Sequence, residues 1–421
     1  MVSRDRLWQL ILDLAHASKH QGRLPQADKE AGTTIMIKRP LKLVLYNCLV
    51  LALLLAACET AATAVKFAWD TYKQHRLDRQ IAQAGAVDQS DVAGFLKEHD
   101  RDMRLTWTSY SYWRRAPVSG KYVNVDANGL RRTWNPTALS SPRIRVFMFG
   151  GSTMWGTGSR DDDTIPSQLS KALARSFGSA VEVVNFGESG YVQTQELITL
   201  LKEIQRGNVP NVAVFYDGYN DTFSAFQNGA AGRPQNEFNR VREFNLLQSG
   251  PRFYLEWVRH SNLFWLLSGF AGHLRQMNYF AHHSRQTGAA SPQDEGVHLI
   301  GDLLGVYDTN VRVLKAVGME YSIRTFYYWQ PSVYTKANQT PEERAQANSD
   351  PSFERFYRAT IARLKDSPIE KIDSFRDLTG TFDGHPERVF IDTMHVSERG
   401  NERIAGMIAT DVASAVRQLL Q

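Results

Sequence analysis

A handful of residues in this 421-residue chain could assemble acyl-transfer chemistry. Asp392 and His395 form an Asp-x-x-His pair. A tight turn across that spacing brings a carboxylate to one ring nitrogen and leaves the other free as a general base. A serine hydroxyl is a weak nucleophile until such a base takes its proton. Ser152, in Gly150-Gly151-Ser152-Thr153, is the candidate. The oxyanion that forms on attack needs donors fixed in advance. The backbone N–H groups of Ser152 and Gly190 and the side-chain amide of Asn220 could supply them, each donor being worth about 3 kcal/mol of barrier. Glycine at 190 permits close backbone approach. Gln330 is a further amide placed either to touch substrate or to support the site.

These residues are far apart in sequence, so a fold must gather them. From residue 143 the pattern alternates between strand and helix. Short β-branched and aromatic runs occur at Ile144–Phe149, Val181–Phe186, Val212–Tyr216, Tyr321–Tyr328 and Val389–Ile391. Helical periods separate them at Ile165–Phe177, Gln195–Gln205, Val297–Val317, Ser352–Leu364 and Ser397–Leu420. In the third helix Ile300, Leu303, Leu304, Tyr307, Val311 and Leu314 share a face. This alternation predicts a doubly wound α/β fold with a five-stranded parallel sheet. Ligands in such sheets bind beyond the carboxyl ends of the strands. Ser152, Gly190, Asn220, Gln330 and the Asp392–His395 pair each follow one of the five runs. Residues 223–292 interrupt the alternation with aromatics at helical spacing and predict a helical insertion.

Ser152, Gly190, Asn220 and His395, in that order and with Asp-x-x-His at the last, resemble the SGNH hydrolase superfamily, also called GDSL-like. The resemblance covers residues 143–421. It implies a flavodoxin-like three-layer sandwich, with Ser152 as nucleophile, His395 as base and Asp392 as its partner. Gly190 and Asn220 would complete the oxyanion hole with the Ser152 amide. Gly151 stands where the family usually has Asp, and the Leu of the eponymous motif is missing. Gly-Gly-Ser-Thr resembles a membrane-anchored bacterial branch. Met154 breaks the Gly-x-Ser-x-Gly pattern of an α/β-hydrolase elbow.

Composition narrows the alternatives. Hydrophobic residues at 43% and charged residues at 22% exclude a disordered or low-complexity chain. The net charge of +5 would suit nucleic acid if it were spread over the fold. Residues 1–66 hold nine Lys/Arg against five Asp/Glu, which accounts for four of those five charges and leaves the bulk near neutral. Nucleic acid is therefore not an expected partner. Only two cysteines, Cys48 and Cys58, are present, too few for a Cys-based metal site or disulfide scaffold. No metal or cofactor is expected. Asp161-Asp162-Asp163 reads as a solvated loop and His282-His283 as surface.

Both cysteines lie in Leu43–Val65, 23 residues with a single charge, Glu59. That length spans a bilayer core, which needs roughly 20 helical residues. Leu55-Ala56-Ala57-Cys58 looks like a lipobox, and from Met36 onward the segment resembles a lipoprotein signal. An uncleaved anchor is favoured, because helical spacing continues to Trp69. Either reading puts the rest outside the cytoplasm. The expected organisation is a cytoplasmic tail at 1–42, an anchor at 43–65, a stalk and extension at 66–142, and a catalytic domain at 143–421 containing the insertion. Gly120–Gly129 reads as a hairpin and turn. The expected activity is hydrolysis of esters, above all O-acetyl groups, on a cell-envelope or secreted polysaccharide. An O-acyltransferase with the same nucleophile, and an inactive polysaccharide-binding or assembly protein, are the alternatives.

Overall fold

The computed structural model describes residues 30–83, 94–95, 98–99, 104–137, 143–247, 261–267 and 292–421. Residues 1–64 and 65–421 form two compact units. A continuous helix, α1 (Glu30–Gln83), contains a largely apolar segment within Lys42–Arg76. This 35-residue stretch is long and apolar enough to cross a membrane. Apart from the half-buried Val50, the apolar side chains from Leu43 to Leu55 are exposed, and no polar stripe runs along the helix, unlike a helix built to pack on a soluble core. The helix runs through Cys58 without a break.

The second unit is built on a parallel sheet of β3 (Ile144–Gly150), β4 (Val181–Asn185), β5 (Val212–Asp217), β6 (Arg324–Trp329) and β7 (Phe375–Asp377), ordered β4-β3-β5-β6-β7. That is the flavodoxin-like order, whose switch point lies between β3 and β5. The central strands are apolar along their whole length because helices cover both faces. Every residue of β5 is buried. On one face lie α2 (Ile165–Phe177) and, from the chain end, Glu398–Leu420. On the other face pack α3 (Gln193–Gln205), α4 (Tyr219–Asn228), a helix at Pro292–Glu320 and one at Pro351–Lys365. Between α4 and Pro292 comes α5 (Glu237–Leu247); then α6 (Pro292–Glu320), α7 (Pro341–Ala347), α8 (Pro351–Lys365) and α9 (Glu398–Leu420) complete the chain. The three-layer sandwich is thus the one expected. All six residues of the predicted apolar face of α6 are buried. Thr164 caps α2 by accepting from Ser167 N–H, and Ser397 caps α9 by accepting from Gly400 N–H.

Four expectations need correction. The fifth strand is Phe375–Asp377, not Val389–Ile391. The N–H groups of Val389 and Phe390 donate to the buried Glu343 carboxylate (2.9 and 3.1 Å), and Gln346 donates to the Ile391 carbonyl (2.7 Å). With these groups engaged, the segment cannot join the sheet ladder. β6 starts at Arg324 rather than Tyr321 because Ser322 turns the chain with φ 57°. The interruption begins after α4, since Tyr219–Asn228 packs as an ordinary crossover helix. Of the insertion, 229–247 and 261–267 are described, with helix at α5 and at 262–267, while Phe253, Tyr254, Trp257, Phe270 and His282-His283 lie outside the described residues.

The last correction concerns Asp161, which is 2% exposed. It accepts from Arg131 Nε (3.0 Å) and Asn124 Nδ2 (2.9 Å). The Arg131 guanidinium lies 4.3 Å from the Trp155 ring centroid and donates to the Gly156 carbonyl (2.6 Å). Burial of such a charge is tolerated only when it is fully bonded. Residues 118–131, with bridges Val118↔Val125 and Val125↔Arg131 and a turn closed by Gly129 (φ 77°), are therefore fastened to the loop after Ser152. The antiparallel hairpin of β1 (Leu105–Thr108) and β2 (Tyr112–Arg115) is fastened as well, since Arg115 N–H donates to the buried Glu188 carboxylate (2.8 Å).

His99 belongs to the same attachment. Its Nε2 accepts from Gly158 N–H (3.0 Å), and its ring packs on Phe95 and Trp155. Burial, reinforced by Arg131 and Arg115, lowers its pKa from 6.5 to about 3. The sign follows from linkage: between those values the unfolded chain binds a proton that the folded chain refuses. The stabilisation is complete above pH 6.5 and declines as pH falls toward 3. Urea unfolding should show about 2 kcal/mol less stability at pH 5 than at pH 7.5 from this group alone. His99→Gln should remove that part of the slope.

Candidate active site

Ser152 opens a single helical turn, Ser152–Trp155, directly after β3. His395 Nδ1 lies 2.7 Å from Asp392 Oδ2, and His395 Nε2 lies 2.6 Å from Ser152 Oγ. A carboxylate can only accept, so Nδ1 carries the ring proton and Nε2 is the acceptor facing the serine hydroxyl. The Asp-x-x-His turn builds itself. Asp392 Oδ1 accepts from the N–H of Met394 (2.9 Å) and His395 (2.8 Å), while Oδ2 is left for the ring. An antiparallel bridge, Phe390↔Val396, closes the loop, and Tyr219 and Thr393 join their hydroxyls across it (2.8 Å). Burial works to raise the Asp392 pKa. The adjacent His395 ring and the N–H donors outweigh it and hold the carboxyl below its usual value.

The expected donors flank this row. Gly190 follows β4 with φ 74°, a conformation that favours glycine. Among the described residues, none of the backbone hydrogen bonds of the loops uses the Ser152 or Gly190 N–H. Asn220, in the first turn of α4 and 4% exposed, donates from Nδ2 to the Tyr191 carbonyl (2.9 Å). Beneath it Asp221 accepts from Gln193 N–H (3.0 Å) and Gly218 N–H (3.2 Å), fixing the start of α4. Burial pushes the Asp221 carboxyl up to about 6 against these bonds.

Gly151 explains itself here. A Cβ at this position would sit 2.1 Å from Asn220 Nδ2. The aspartate usual in the resembling family has no room in this arrangement. Gly151→Ala should displace the Asn220 amide and lower kcat for ester hydrolysis by about 10²-fold or more, the scale of losing one oxyanion donor. Asn220→Ala should cost as much, and the double variant should cost little beyond either single one.

Ser152, His395, Asp392, Gly190 and Asn220 therefore converge. Gln330 does not join them as an exposed contact. It is 2% exposed, and its Oε1 accepts from Thr153 Oγ1 (3.3 Å), so it supports the nucleophile turn from behind. Sequence reasoning missed Gln235, which donates to Asn220 Oδ1 (3.3 Å) and stands against Gly190. It also missed Trp113, whose indole N–H donates to the Ser189 carbonyl (2.7 Å). Arg240 of α5 lies over Trp113 and Tyr112, and Tyr112 donates to Glu237 (3.2 Å). The hairpin and α5 thus hold Gln235 beside the oxyanion donors. Nothing in the local sequence marks Gln235, because its partners come from two other loops. Among the described residues no cluster of three or more His, Cys, Asp or Glu could hold a metal.

In fold and in the order and placement of these residues, the chain resembles the SGNH hydrolases. No protein-family model and no curated protein matches it. Similar solved structures include an acetyl xylan esterase at 13% identity, covering 64% of this chain and 100% of that one, with a TM-score of 0.35. An acetylxylan esterase from Geobacillus stearothermophilus is 12% identical over 65% of this chain and 96% of its own, with a TM-score of 0.33. A GDSL-like lipase from Bacteroides thetaiotaomicron is 13% identical over 66% and 93%, with a TM-score of 0.30. Similarity at this level decides neither substrate nor reaction.

Proposed function

We propose that the protein is a membrane-anchored serine esterase acting on O-acyl groups, chiefly acetyl, of a glycan outside the cytoplasm. The observation that carries the reading is the unbroken chain Ser152 Oγ, His395 Nε2, His395 Nδ1, Asp392 Oδ2, with both links shorter than 2.8 Å. His395 takes the hydroxyl proton as Ser152 Oγ attacks the acyl carbon. The negative charge moves to the carbonyl oxygen, between the N–H groups of Ser152 and Gly190 and the Asn220 amide. As the acyl–oxygen bond breaks, His395 gives the proton to the departing sugar oxygen, which leaves as a hydroxyl. Water, deprotonated by the same imidazole, releases the acid and restores Ser152. The anchor rests on the length and hydropathy of α1, and the glycan on the compartment that such an anchor implies. An inactive scaffold would need no imidazole held between serine and carboxylate.

Fluorophosphonates test the activated serine directly, because they trap only a nucleophile paired with its base. The full chain in detergent micelles should be labelled once, at Ser152, and should release acetate from a small acetyl ester. Unlabelled protein without esterase activity would exclude this reading.

A further inference from the structure

A second concave site lies behind the β1–β2 hairpin. Its volume is about 490 Å³, and α3, the hairpin and the loop after β4 enclose it. Four cationic side chains line it: Arg114, Arg115, Lys202 and Arg206. Arg115 is paired with the buried Glu188 (3.4 Å), which lies outside the lining. Arg206 is paired with Glu203 (2.6 Å), the one carboxylate in the lining, and Glu203 also accepts from Asn208 Nδ2 (2.6 Å). Arg114 and Lys202 form no ion pair among the described residues. Arg114 donates to the Phe186 carbonyl (3.2 Å) with its guanidinium over the Phe186 and Tyr191 rings, and Lys202 donates to the Ser109 carbonyl (2.9 Å). The cavity therefore holds positive charge in excess. Burial depresses the Lys202 pKa, with Arg206 and Arg114 adding to the fall and Glu203 opposing it.

An aromatic lip accompanies the cations. Trp107 is 69% exposed at the cavity edge, and its ring packs on Tyr112 at 5.5 Å. The hairpin turn places Tyr110 and Tyr112 at φ 70° and 72°, left-handed conformations that cost bulky residues roughly 1–2 kcal/mol each. Tyr191 connects the cavity to the catalytic row. It contributes to the lining, while its carbonyl accepts from the Asn220 amide and its chain neighbour is Gly190.

We infer that this cavity binds the carboxylate of a uronic-acid unit, with the sugar ring against Trp107, in the glycan whose ester is attacked at Ser152. Guanidinium and ammonium groups pair with a carboxylate. The apolar face of a pyranose matches an exposed indole, a contact that a bare phosphate cannot use. Asn128 and Asn208, also in the lining, offer amides to hydroxyls. The choice of glycan rests on the esterase reading, but binding can be measured without catalysis.

The test uses the full chain carrying Ser152→Ala in detergent micelles, titrated by tryptophan fluorescence. Trigalacturonate should bind, and more weakly as salt rises. Lys202→Gln and Arg206→Gln should each weaken it about tenfold, the size of one lost charge contact. Xylotriose, which lacks the carboxylate, should bind at least about tenfold more weakly than trigalacturonate. Arg206 is 64% exposed, so its replacement leaves the fold intact. With Ser152 present, both variants should hydrolyse a small neutral acetyl ester at the parent rate. That separates failure of this site from failure of the esterase reading. The inference is overturned if trigalacturonate does not bind or if the variants bind it unchanged. Xylotriose, inorganic phosphate or anionic-lipid vesicles binding as tightly as trigalacturonate would overturn it too.

Discussion

Ser152→Ala should abolish hydrolysis of a small acetyl ester, lowering kcat by about 10⁴- to 10⁶-fold, the range seen when a nucleophile that works with a base is removed. The geometry predicts more than a loss. Ser152 Oγ and His395 Nε2 share one hydrogen bond of 2.6 Å, so they act as one unit in the attacking step. His395→Ala should cost nearly as much, and Ser152→Ala with His395→Ala should lose little more than either alone. A residual rate above that in water should survive in all three variants, because the donors at Gly190 and Asn220 are untouched. Ser152 is 8% exposed at the head of a short helical turn, and alanine fits that turn without strain, so the melting temperature should hold. The measurement is steady-state kinetics beside thermal unfolding. A variant that keeps its fold and more than about a tenth of the parent kcat would remove Ser152 from the chemistry.

The residues of this row were legible because their signals are local. Each sits at the end of an apolar run or within a three-residue spacing, and parallel topology puts strand ends at one edge. Legibility stopped where a residue's role is set by a distant partner. The Asp161 charge looked solvated because Arg131, which buries it, lies 30 residues away. Gln330 follows a strand as a ligand contact would, yet the residue it meets is Thr153. Val389–Ile391 has the composition of a strand. The N–H groups of Val389 and Phe390 are claimed by Glu343, whereas the true edge strand, Phe-Arg-Asp, has a single apolar residue and is too short to show a pattern. That error left the site itself intact, since Asp392 and His395 are placed by their own turn and not by the sheet. The hairpin at 105–115 gave no alternation to read, because β1 is exposed along nearly its whole length. Its order comes from Arg115 and Glu188, and from Trp113 and Arg240, which are contacts between elements.

The self-contained turn is also what makes Asp392→Asn informative. Asparagine keeps an oxygen in place of Oδ1 and can still accept from the N–H groups of Met394 and His395, so the loop and the fold should persist. What changes is the atom facing the ring. An –NH₂ in place of Oδ2, 2.7 Å from Nδ1, is a donor and makes Nδ1 the acceptor. The ring proton then moves to Nε2, which faces Ser152 Oγ and can no longer take its proton. The base is present, correctly placed and in the wrong tautomer. The expected result is a fall in kcat of about 10⁴-fold with little change in KM. Below pH 7 that loss should not recover, because the amide does not titrate, whereas the Asp392 carboxyl, held below its usual 3.8, stays ionised well into acid. Asp392→Ala separates the two duties of this side chain, since it also removes the acceptor for Met394 and His395 N–H. It should lower the melting temperature as well as the rate. Equal rates for parent and Asp392→Asn would mean that the carboxylate only builds the turn, and that His395 finds its tautomer without it.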